Sequence, residues 1–494
     1  MIPGVLTWTT LILCVALSWG APVFVSLFII VFDIYWFCKS MYFLFHLSST
    51  YRAIRDNLAV DWIKKLEEEH ASKWRDIYHL VIFPMYKEPY ELVRESFESL
   101  SRVKYPSEKM IVVLALEERA GEAAQELGAR IAQEFAAPFF KFLITTHPAD
   151  LPGEIPGKGS NETWAAERVK EEILDPLKIP YEKVMTSVFD IDTQTPPHYF
   201  SRLTHLFLST HDPIRAIYQP VPLFVNNIYD APAIARERSF FCTFWSMIQQ
   251  SRREMMRSFS SQSIPFATLV DVGFWQKDVV AEDSRIFAQC FVHYNGNFRV
   301  EPMNYPVHMD ANVGPTFWAT LKNQYRQQRR WAWGAEDVSY LLASFWKNKK
   351  IPARKRWFWG VFVTEEYYSW ATSSIMIFML GWLPILIGGA AFNHTLLSYN
   401  LPKFVQFIMG FSMVGMVAYA TATILLLPIF PPRSKYLYFI LQWLLTPFAL
   451  IFFGSIPAID AQTRLMLGGK WRLGFWVTPK SRRKEIISSA TNSR

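Results

Sequence analysis

Three short stretches of the sequence combine acidic, basic and aromatic residues whose types and spacing suit chemistry on a diphosphate. The residues are Asp190, Asp192, Glu282, Asp283, Gln327, Arg330 and Trp331. Carboxylates bind hard cations and accept protons, Arg pairs with phosphate oxygens, and Trp offers a flat apolar ring to a ligand. This combination indicates a site that binds a diphosphate with a divalent cation and takes a proton from an attacking hydroxyl group.

Asp190 and Asp192 follow the apolar run from Met185 to Phe189, which predicts a buried strand. A spacing of two along a strand places both carboxylates on one face. Mg²⁺ or Mn²⁺, bound together with a diphosphate, is the ligand that such a pair would hold. The same D-x-D triplet is common in turns rich in Asp, so the pair alone leaves both interpretations open.

Asp283 is the candidate general base, with Glu282 beside it. An acceptor hydroxyl becomes a good nucleophile when a positioned carboxylate takes its proton as the new bond forms. Asp283 also stands where it could cap a helix that begins at Ser284. The two roles are compatible, and the neighbouring motifs favour the base.

Gln327, Arg330 and Trp331 are spaced so that they share one face of a helix. Arg330 would stabilise a leaving diphosphate, and Trp331 would provide a surface for a sugar ring. A basic helix that rests on lipid headgroups would explain Arg326, Arg329 and Arg330, but it would not explain the Gln and the Trp.

Polar residues that follow the first two predicted strands are candidates for binding a nucleotide. Leu80 to Phe83 and Ile111 to Leu114 are apolar runs typical of buried parallel strands, whose carboxyl ends meet at one edge of a sheet. The candidates at those ends are Pro84, Tyr86, Glu88 and Glu117. Lys158, between two glycines, offers a point charge and open backbone N–H groups to a phosphate. Each is also compatible with an ordinary loop, and it is their order along the chain that favours a nucleotide site.

The composition predicts a globular domain attached to membrane segments. Of the 494 residues, 51% are hydrophobic and only 19% are charged, which is below the usual quarter. The net charge of +8 comes from basic residues beside apolar segments, which fits anionic lipid or a nucleotide diphosphate rather than nucleic acid. The four cysteines lack paired spacing, so we expect neither a disulfide framework nor a zinc site, and a reducing compartment fits.

The apolar excess is concentrated in runs long enough to enter a bilayer, with a predicted break between the first two at Gly20-Ala21-Pro22. The runs are Val5 to Trp19, Ala21 to Leu47, Ser369 to Ala391, Phe404 to Ile429 and Tyr436 to Phe453. The basic residues after Leu47 place the middle of the chain in the cytoplasm. Val338 to Trp346, followed by a basic stretch, is typical of a helix in the membrane interface. Because charge places both flanks of Tyr436 to Leu467 inside, we expect a re-entrant or hairpin element there, or one that descends into the interface.

The motifs resemble those of membrane-integrated family 2 glycosyltransferases, the group that includes cellulose, hyaluronan and mannan synthases. That family has a D, DxD, ED, QxxRW series in this order between membrane segments. The matching residues here are Asp190 and Asp192, Glu282 and Asp283, and Gln327, Arg330 and Trp331. By this resemblance Asp192 would hold the metal, Asp283 would be the base and Trp331 would lie at the acceptor end.

The tail carries a further resemblance. Phe475 to Lys480 is similar to the FxVTxK gating loop of the synthases, which closes over the bound nucleotide. Thr478 and Lys480 would then reach the diphosphate. In place of the family's aspartate after the second strand, the chain has Glu117 or Glu118, so the identity of the nucleotide stays open.

The resemblance implies an α/β fold of the GT-A type, doubly wound and Rossmann-like, inserted between N-terminal and C-terminal transmembrane helices. The expected divisions are N-terminal helices in 1–50, a cytoplasmic catalytic domain in 51–335, interfacial helices in 336–366, a C-terminal transmembrane region in 367–467 and a cytoplasmic tail in 468–494. An integral protein of the plasma membrane with a cytoplasmic catalytic domain follows from this arrangement.

The function expected from residues and resemblance together is inverting, metal-dependent transfer of a hexose. The donor would be a nucleotide-diphosphate sugar, with UDP the expected nucleotide, and the acceptor a growing polysaccharide that is exported as it is extended. Transfer of one sugar to a lipid carrier or membrane lipid is the first alternative, which Asp33 inside the second apolar run suits equally well. The second alternative is a non-catalytic membrane protein whose nucleotide-binding domain regulates export.

Overall fold

The computed structural model describes residues 2–426, 433–474 and 476–479. In these ranges one sheet contains the strands β1 Tyr78–Pro84, β2 Met110–Glu117, β3 Lys141–His147, β4 Val184–Val188, β5 Ala216–Leu223, β6 Ser263–Pro265 and β7 Arg299–His308. The α-helices up to the end of the sheet domain are α1 Ile2–Gly20, α2 Pro22–Leu58, α3 Trp62–Glu69, α4 Tyr90–Ser101, α5 Glu122–Phe135, α6 Lys158–Val169, α7 Tyr199–Ser209, α8 Ala233–Gln250, α9 Phe266–Val272, α10 Glu282–His293 and α11 Phe317–Ala332. After them come α12 Glu336–Lys347, α13 Ala353–Phe378, α14 Leu383–Ile387, α15 Gly389–Asn393, α16 Leu396–Leu426, α17 Arg433–Leu441, α18 Thr446–Leu450 and α19 Ile456–Leu467.

The sheet is mixed, with the strand order β3-β2-β1-β4-β6-β5-β7. The strands β3, β2, β1 and β4 run parallel, and so do β5 and β7, whereas the short β6 is antiparallel to both of its neighbours. The two parallel strands predicted from apolar runs are confirmed, and Phe83 of β1 lies opposite Leu114 of β2. A mixed α/β domain is therefore present, with one antiparallel strand between two parallel groups.

Apolar side chains fill both faces of this sheet. Leu80 and Ile82 of β1 belong to one core cluster, while Val81 and Phe83 belong to the other, because side chains alternate across a strand. The first cluster is covered by α6, α9, α10 and α12, and the second by α4, α5 and α7. Helices on both faces leave the carboxyl edge of the parallel strands as the open side of the domain.

Within the described part of the chain, three helical stretches are long and apolar enough to cross a membrane. They are α1, α2 and the run Tyr436–Leu467, and α13 with Leu380–Ile387 forms a further candidate that bends by 48°. The predicted break at Gly20-Ala21-Pro22 is confirmed, since α1 ends at Gly20 and α2 begins at Pro22. The predicted amphipathic stretch forms α12, which buries Val338 and exposes Trp346 in its last turn.

The hairpin expected at Tyr436–Leu467 is wrong, because the stretch is one helical run. Towards its start, Arg236 of α8 donates to Gln442 Oε1 at 2.8 Å. Towards its end, Asp460 accepts a hydrogen bond from Arg329 of α11 at 2.8 Å. Both ends of the run contact helices of the sheet domain. The expected interfacial position stays a prediction.

Candidate active site

The predicted site residues meet at the carboxyl edge of the parallel strands. Asp190 follows β4, Lys158 begins α6, and Asp283 lies in the first turn of α10. The side-chain amide of Asn161 donates to the carbonyl of Ala115 in β2 at 2.8 Å, which fixes the start of α6 to this edge. Three segments that are far apart in sequence are thereby held at one place.

The ammonium group of Lys158 lies at the centre of the site. Its Nζ is 2.8 Å from Asp283 Oδ1, 3.2 Å from Asp190 Oδ1 and 3.7 Å from Glu282 Oε1. Burial by itself would lower the pKa of this lysine, but the charges of Asp190 and Asp283 raise the pKa well above its ordinary value. Lys158 is therefore a fixed cation, and the structure brings three other predicted site residues together around it.

Glu162 is a member of this cluster that the sequence reasoning missed. One carboxylate oxygen from each of Glu162, Glu282 and Asp283 lies within 4.8 Å of the other two. Burial, with the negative charge of Asp283 added to it, raises the pKa of Glu282 to about 8. Burial also raises the pKa of Glu162 well above its ordinary value. The sequence feature that could have identified Glu162 is its position four residues after Lys158, which places both residues on one face of α6.

Gly159 allows α6 to approach α10 closely. A Cβ at this position would lie 3.0 Å from the Cβ of Glu282 and 3.3 Å from the carbonyl oxygen of Gln276. Contacts this short require a neighbour to move. One of the two glycines beside Lys158 is thus explained by the packing that brings Glu282 to the lysine.

The expectation that Asp190 and Asp192 extend a strand on one face is wrong, because β4 ends at Val188 and both residues lie in the turn after it. Asp190 is 29% exposed, and its Oδ2 accepts a hydrogen bond from Ser260 Oγ at 2.9 Å. Asp192 is fully buried, and its Oδ2 accepts from the backbone N–H of Asp310 at 3.0 Å. The apolar run therefore continues past the strand, and the two carboxylates have different immediate partners.

Asp283 is not the cap of α10, since the helix already begins at Glu282. Its side chain is 22% exposed, so it is accessible from outside, and its carbonyl oxygen accepts a hydrogen bond from Ser258 Oγ at 2.6 Å. Ser258 and Ser260 lie between α8 and β6, and neither was among the predicted site residues. They hold Asp283 and Asp190 in place from one loop.

Gln327 and Trp331 of α11 face the segment that follows β7. Gln327 Oε1 accepts a hydrogen bond from Asn312 Nδ2 at 3.2 Å. Trp331 lines a narrow pocket together with Asp310, Asn312 and Gln327. Because the backbone of Asp310 also donates to Asp192, this segment connects the D-x-D turn to the QxxRW helix.

The arginines of α11 have different partners. Arg330 lies close enough to Glu282 for its charge to oppose the rise in the pKa of that carboxyl. Arg329 pairs with Asp460 at 2.8 Å, with both side chains about one-fifth exposed. An interpretation in which the basic residues all face lipid headgroups is therefore wrong for Arg329, which attaches α11 to the C-terminal helical run.

The predicted nucleotide residues form a group of their own beside β1 and β2. Pro84 ends β1, and the backbone N–H of Tyr86 donates to Glu88 Oε2 at 2.7 Å. The guanidinium of Arg119 lies 4.6 Å from the centre of the Tyr86 ring and pairs with the buried Glu117. Arg119 was not predicted, and it completes a stack of an aromatic ring and a cation flanked by carboxylates.

The described part of the predicted gating segment packs on α11. The guanidinium of Arg326 lies 5.6 Å from the ring centre of Trp476. Thr478 is buried. Phe475 and Lys480 lie outside the described residues.

No protein-family model matches the sequence, and no curated protein matches it. The chain is similar in structure to the mannosyltransferase PcManGT from Pyrobaculum calidifontis in complex with GDP-Man and Mn²⁺, with a TM-score of 0.43, 14% identity, and coverage of 83% of this chain and 99% of that one. It is also similar to S. aureus TarS 1-349 in complex with UDP-GlcNAc, with a TM-score of 0.37, 11% identity, and coverage of 80% and 93%. These likenesses are too distant to assign a function, which we therefore infer from the residues of the site.

Proposed function

We propose that this chain is a membrane-bound, inverting hexosyltransferase of the family 2, GT-A type. The donor is a nucleotide-diphosphate sugar, with UDP as the nucleotide, and the acceptor is a growing polysaccharide. The observation that carries the proposal is the convergence of Asp190, Glu282 and Asp283 on the Lys158 ammonium at the carboxyl edge of the sheet. A fixed cation can stabilise the negative charge of a leaving diphosphate, and an accessible carboxylate beside it can accept the proton of an attacking hydroxyl group.

In the proposed reaction Asp283 acts as the general base. Its carboxylate takes the proton of the acceptor hydroxyl while the hydroxyl oxygen attacks the anomeric carbon from the side opposite the diphosphate. The bond between that carbon and the diphosphate oxygen breaks, and the configuration inverts. Lys158 and Arg330 offset the negative charge that develops on the leaving diphosphate, which lowers the barrier because both cations are in place beforehand.

The oxygen donors of Asp190 and Asp192 fit Mg²⁺ or Mn²⁺. Both ions prefer carboxylate oxygens, and the partial exposure of Asp190 leaves it accessible to an ion that arrives with the donor. A hydrogen bond from the backbone N–H of Asp310 fixes the side chain of Asp192, the second carboxylate of the pair. A divalent ion bound there would supply additional positive charge to the diphosphate.

The remaining predicted residues have proposed roles in binding. Tyr86, stacked with Arg119, provides a flat surface for the base of the nucleotide, and Glu88 and Glu117 provide acceptors for its hydroxyl and amino groups. Gln327 and Trp331 bind the acceptor sugar. Thr478 and Lys480 close over the diphosphate.

Release of free nucleotide from a panel of nucleotide sugars tests this proposal. Purified membranes that contain the protein should release nucleotide from one donor of the panel, and EDTA should abolish the release. Membranes from cells that lack the protein are the control. Equal release from both preparations for every donor would contradict the proposal. Product sizing with labelled donor then tests chain extension, which predicts a high-mass aqueous product.

Transfer of a single sugar to a membrane lipid is a second candidate, because the segment that follows α11 carries residues typical of the membrane interface. Trp346 and Trp357 are 79% and 75% exposed on either side of a basic stretch in 347–356. Exposed Trp beside Lys and Arg is typical of a surface in contact with lipid headgroups. Label that extracts into organic solvent would favour this acceptor, whereas label in the aqueous high-mass fraction would favour polysaccharide.

A further inference from the structure

Glu162 has no counterpart in the motif series on which the proposed function rests. Its side chain is fully buried, and neither carboxylate oxygen has a hydrogen-bond partner among the described residues. Glu282 is buried as well, and its Oε1 has no hydrogen-bond partner among the described residues and lies 3.7 Å from the ammonium of Lys158. A buried carboxylate without a hydrogen bond is costly when ionised, so the chemical state of this pair needs a physical explanation.

The charges around Lys158 provide that explanation. Four carboxyl groups surround this one ammonium in the described structure, from Asp190, Asp283, Glu162 and Glu282. Asp190 and Asp283 are partly exposed and contact the ammonium directly. The positive charge of Lys158 therefore stabilises the ionised forms of these two carboxylates more than those of Glu162 and Glu282. Two buried carboxylates this close together cannot both ionise cheaply, and one proton held between them removes most of the cost.

We propose that Glu162 is a positioning residue of the transfer site, and that Glu162 and Glu282 hold one proton between them at neutral pH. The proton makes a hydrogen bond between the two side chains, which ties α6 to the first residue of α10 and so fixes Asp283 relative to Lys158. It also limits the negative charge beside Lys158, which leaves the ammonium available to Asp283 and the diphosphate. The part of this inference that concerns turnover rests on the proposed function.

The surroundings of the pair support a shared proton. Burial raises the pKa of both carboxyls, and for Glu162 the charges of Glu282, Asp283 and Asp190 add to the effect. Lys158 opposes the rise for both, and Arg330 opposes it for Glu282. Above the pH at which the proton leaves, a second negative charge appears beside Lys158, and we expect turnover to decline.

Two substitutions at Glu162 test the positioning role. Glu162→Ala removes the hydrogen bond, and we expect kcat to fall at least about tenfold while the KM for the donor changes less than about threefold. Glu162→Gln keeps the shape and can donate to an ionised Glu282, so it should recover most of that loss. Because the glutamine cannot release a proton, the alkaline decline of kcat should move up by about one pH unit or more. The control is Glu172→Gln, an exposed position after α6.

A decline of kcat at alkaline pH that is identical in the wild type and in Glu162→Gln would overturn the proposal. So would a kcat for Glu162→Ala equal to that of the wild type.

Infrared difference spectroscopy tests the shared proton without any turnover. Between neutral and alkaline pH, the wild type should lose the carbonyl band of a protonated carboxyl group, and Glu162→Gln should lack that band at neutral pH. Its presence would support the acid pair even if no donor is ever turned over, so failure of the proposed function remains distinguishable. A wild-type spectrum with no such band, or the same band in Glu162→Gln, would refute the shared proton.

Discussion

At the scale of single residues, the site depends on a buried cation with several acidic partners. Lys158 is nine-tenths buried and contacts Asp283, Asp190 and Glu282. An ion pair removed from water gains little net stability, but removal of one partner leaves the other charges buried and uncompensated. The cluster is therefore weak evidence for a stabilising role, which agrees with the role in catalysis that we propose for it.

Loss of the ammonium should stop turnover. In Lys158→Met, the acidic residues lose their common partner and the diphosphate loses a preorganised cation, so we expect kcat/KM to fall on the order of a hundredfold or more. Lys183→Met, at an exposed ion pair with Asp76, is the matched control and should behave like the wild type. Nucleotide release measured on equal amounts of folded protein is the readout. Activity of Lys158→Met within about twofold of the control would show that the cation has no part in the reaction.

A buried histidine should make the free energy of unfolding depend on pH in the acidic range. His79 of β1 is fully buried, its Nε2 lies 2.8 Å from Thr204 Oγ1, and burial lowers its pKa from 6.5 to about 3. Because the unfolded chain binds this proton more readily, the free energy of unfolding should decrease as the pH falls from 6.5 towards 3. We expect a weaker dependence in His79→Gln, and an unchanged one in His211→Gln at an exposed site. Unfolding midpoints across this pH range measure the effect, and equal slopes for wild type and His79→Gln would contradict it.

At the scale of elements, the site depends on how closely α6 and α10 approach. Gly159 lies at a tight contact between them, where an added methyl group would meet the Cβ of Glu282. Since Lys158 precedes this glycine and Asp283 follows that glutamate, the separation of the helices sets the separation of the lysine and the proposed base.

A methyl group at Gly159 should therefore impair the site. We expect Gly159→Ala to cost about 1–3 kcal/mol of stability through overpacking, and to lower kcat more than donor affinity. Gly20→Ala is the control, because a Cβ there meets no atom within 4 Å. Thermal unfolding and turnover in the same preparations are the measurements. A fully active Gly159→Ala protein of unchanged stability would mean that the helices can separate without consequence.

The sequence predicted the elements of this site better than their details. Apolar runs located β1 and β2, and motif order located Lys158 and Asp283 near one another. The end of β4 was not predictable, because Phe189 and Ile191 are buried although they lie beyond the strand, so the apolar run continues past the end of the strand. The role of Glu162 could not be predicted, because a Glu within a helix is usually exposed to solvent. Only tertiary packing buries Glu162.

At the scale of the whole molecule, the sheet domain is held between the N-terminal and C-terminal helices. Gln462 of α19 accepts from Thr7 of α1 at 2.8 Å, and its amide donates to the carbonyl of Tyr367 in α13 at 2.7 Å. Tyr325 of α11 donates to Asp460 on the same run at 3.0 Å. The run Tyr436–Leu467 therefore bridges the apolar helices and the sheet domain along its length, a position that suits an interfacial helix.

This position predicts the topology of the C-terminal part. A helix that crosses a hydrocarbon layer of about 30 Å places its ends on opposite sides, whereas an interfacial helix keeps both ends on one side. Reporter fusions or cysteine accessibility at Arg433 and after Leu467 should therefore report the same cytoplasmic side. A fusion in 392–401 should report the opposite side and serves as the control. Opposite sides for the first two positions would show that the run spans the membrane.

The central claim is that Asp283 is the base of a sugar transfer, and Asp283→Asn tests it most directly. The substitution removes the proton acceptor but keeps the size of the side chain, and Asp190 continues to hold Lys158. Donor affinity and turnover should be measured in one preparation, with Asp271→Asn as the exposed control. We predict that Asp283→Asn binds the nucleotide sugar with an affinity within about threefold of the control and turns it over at least about a thousandfold more slowly. Turnover equal to that of the control would contradict the proposed role.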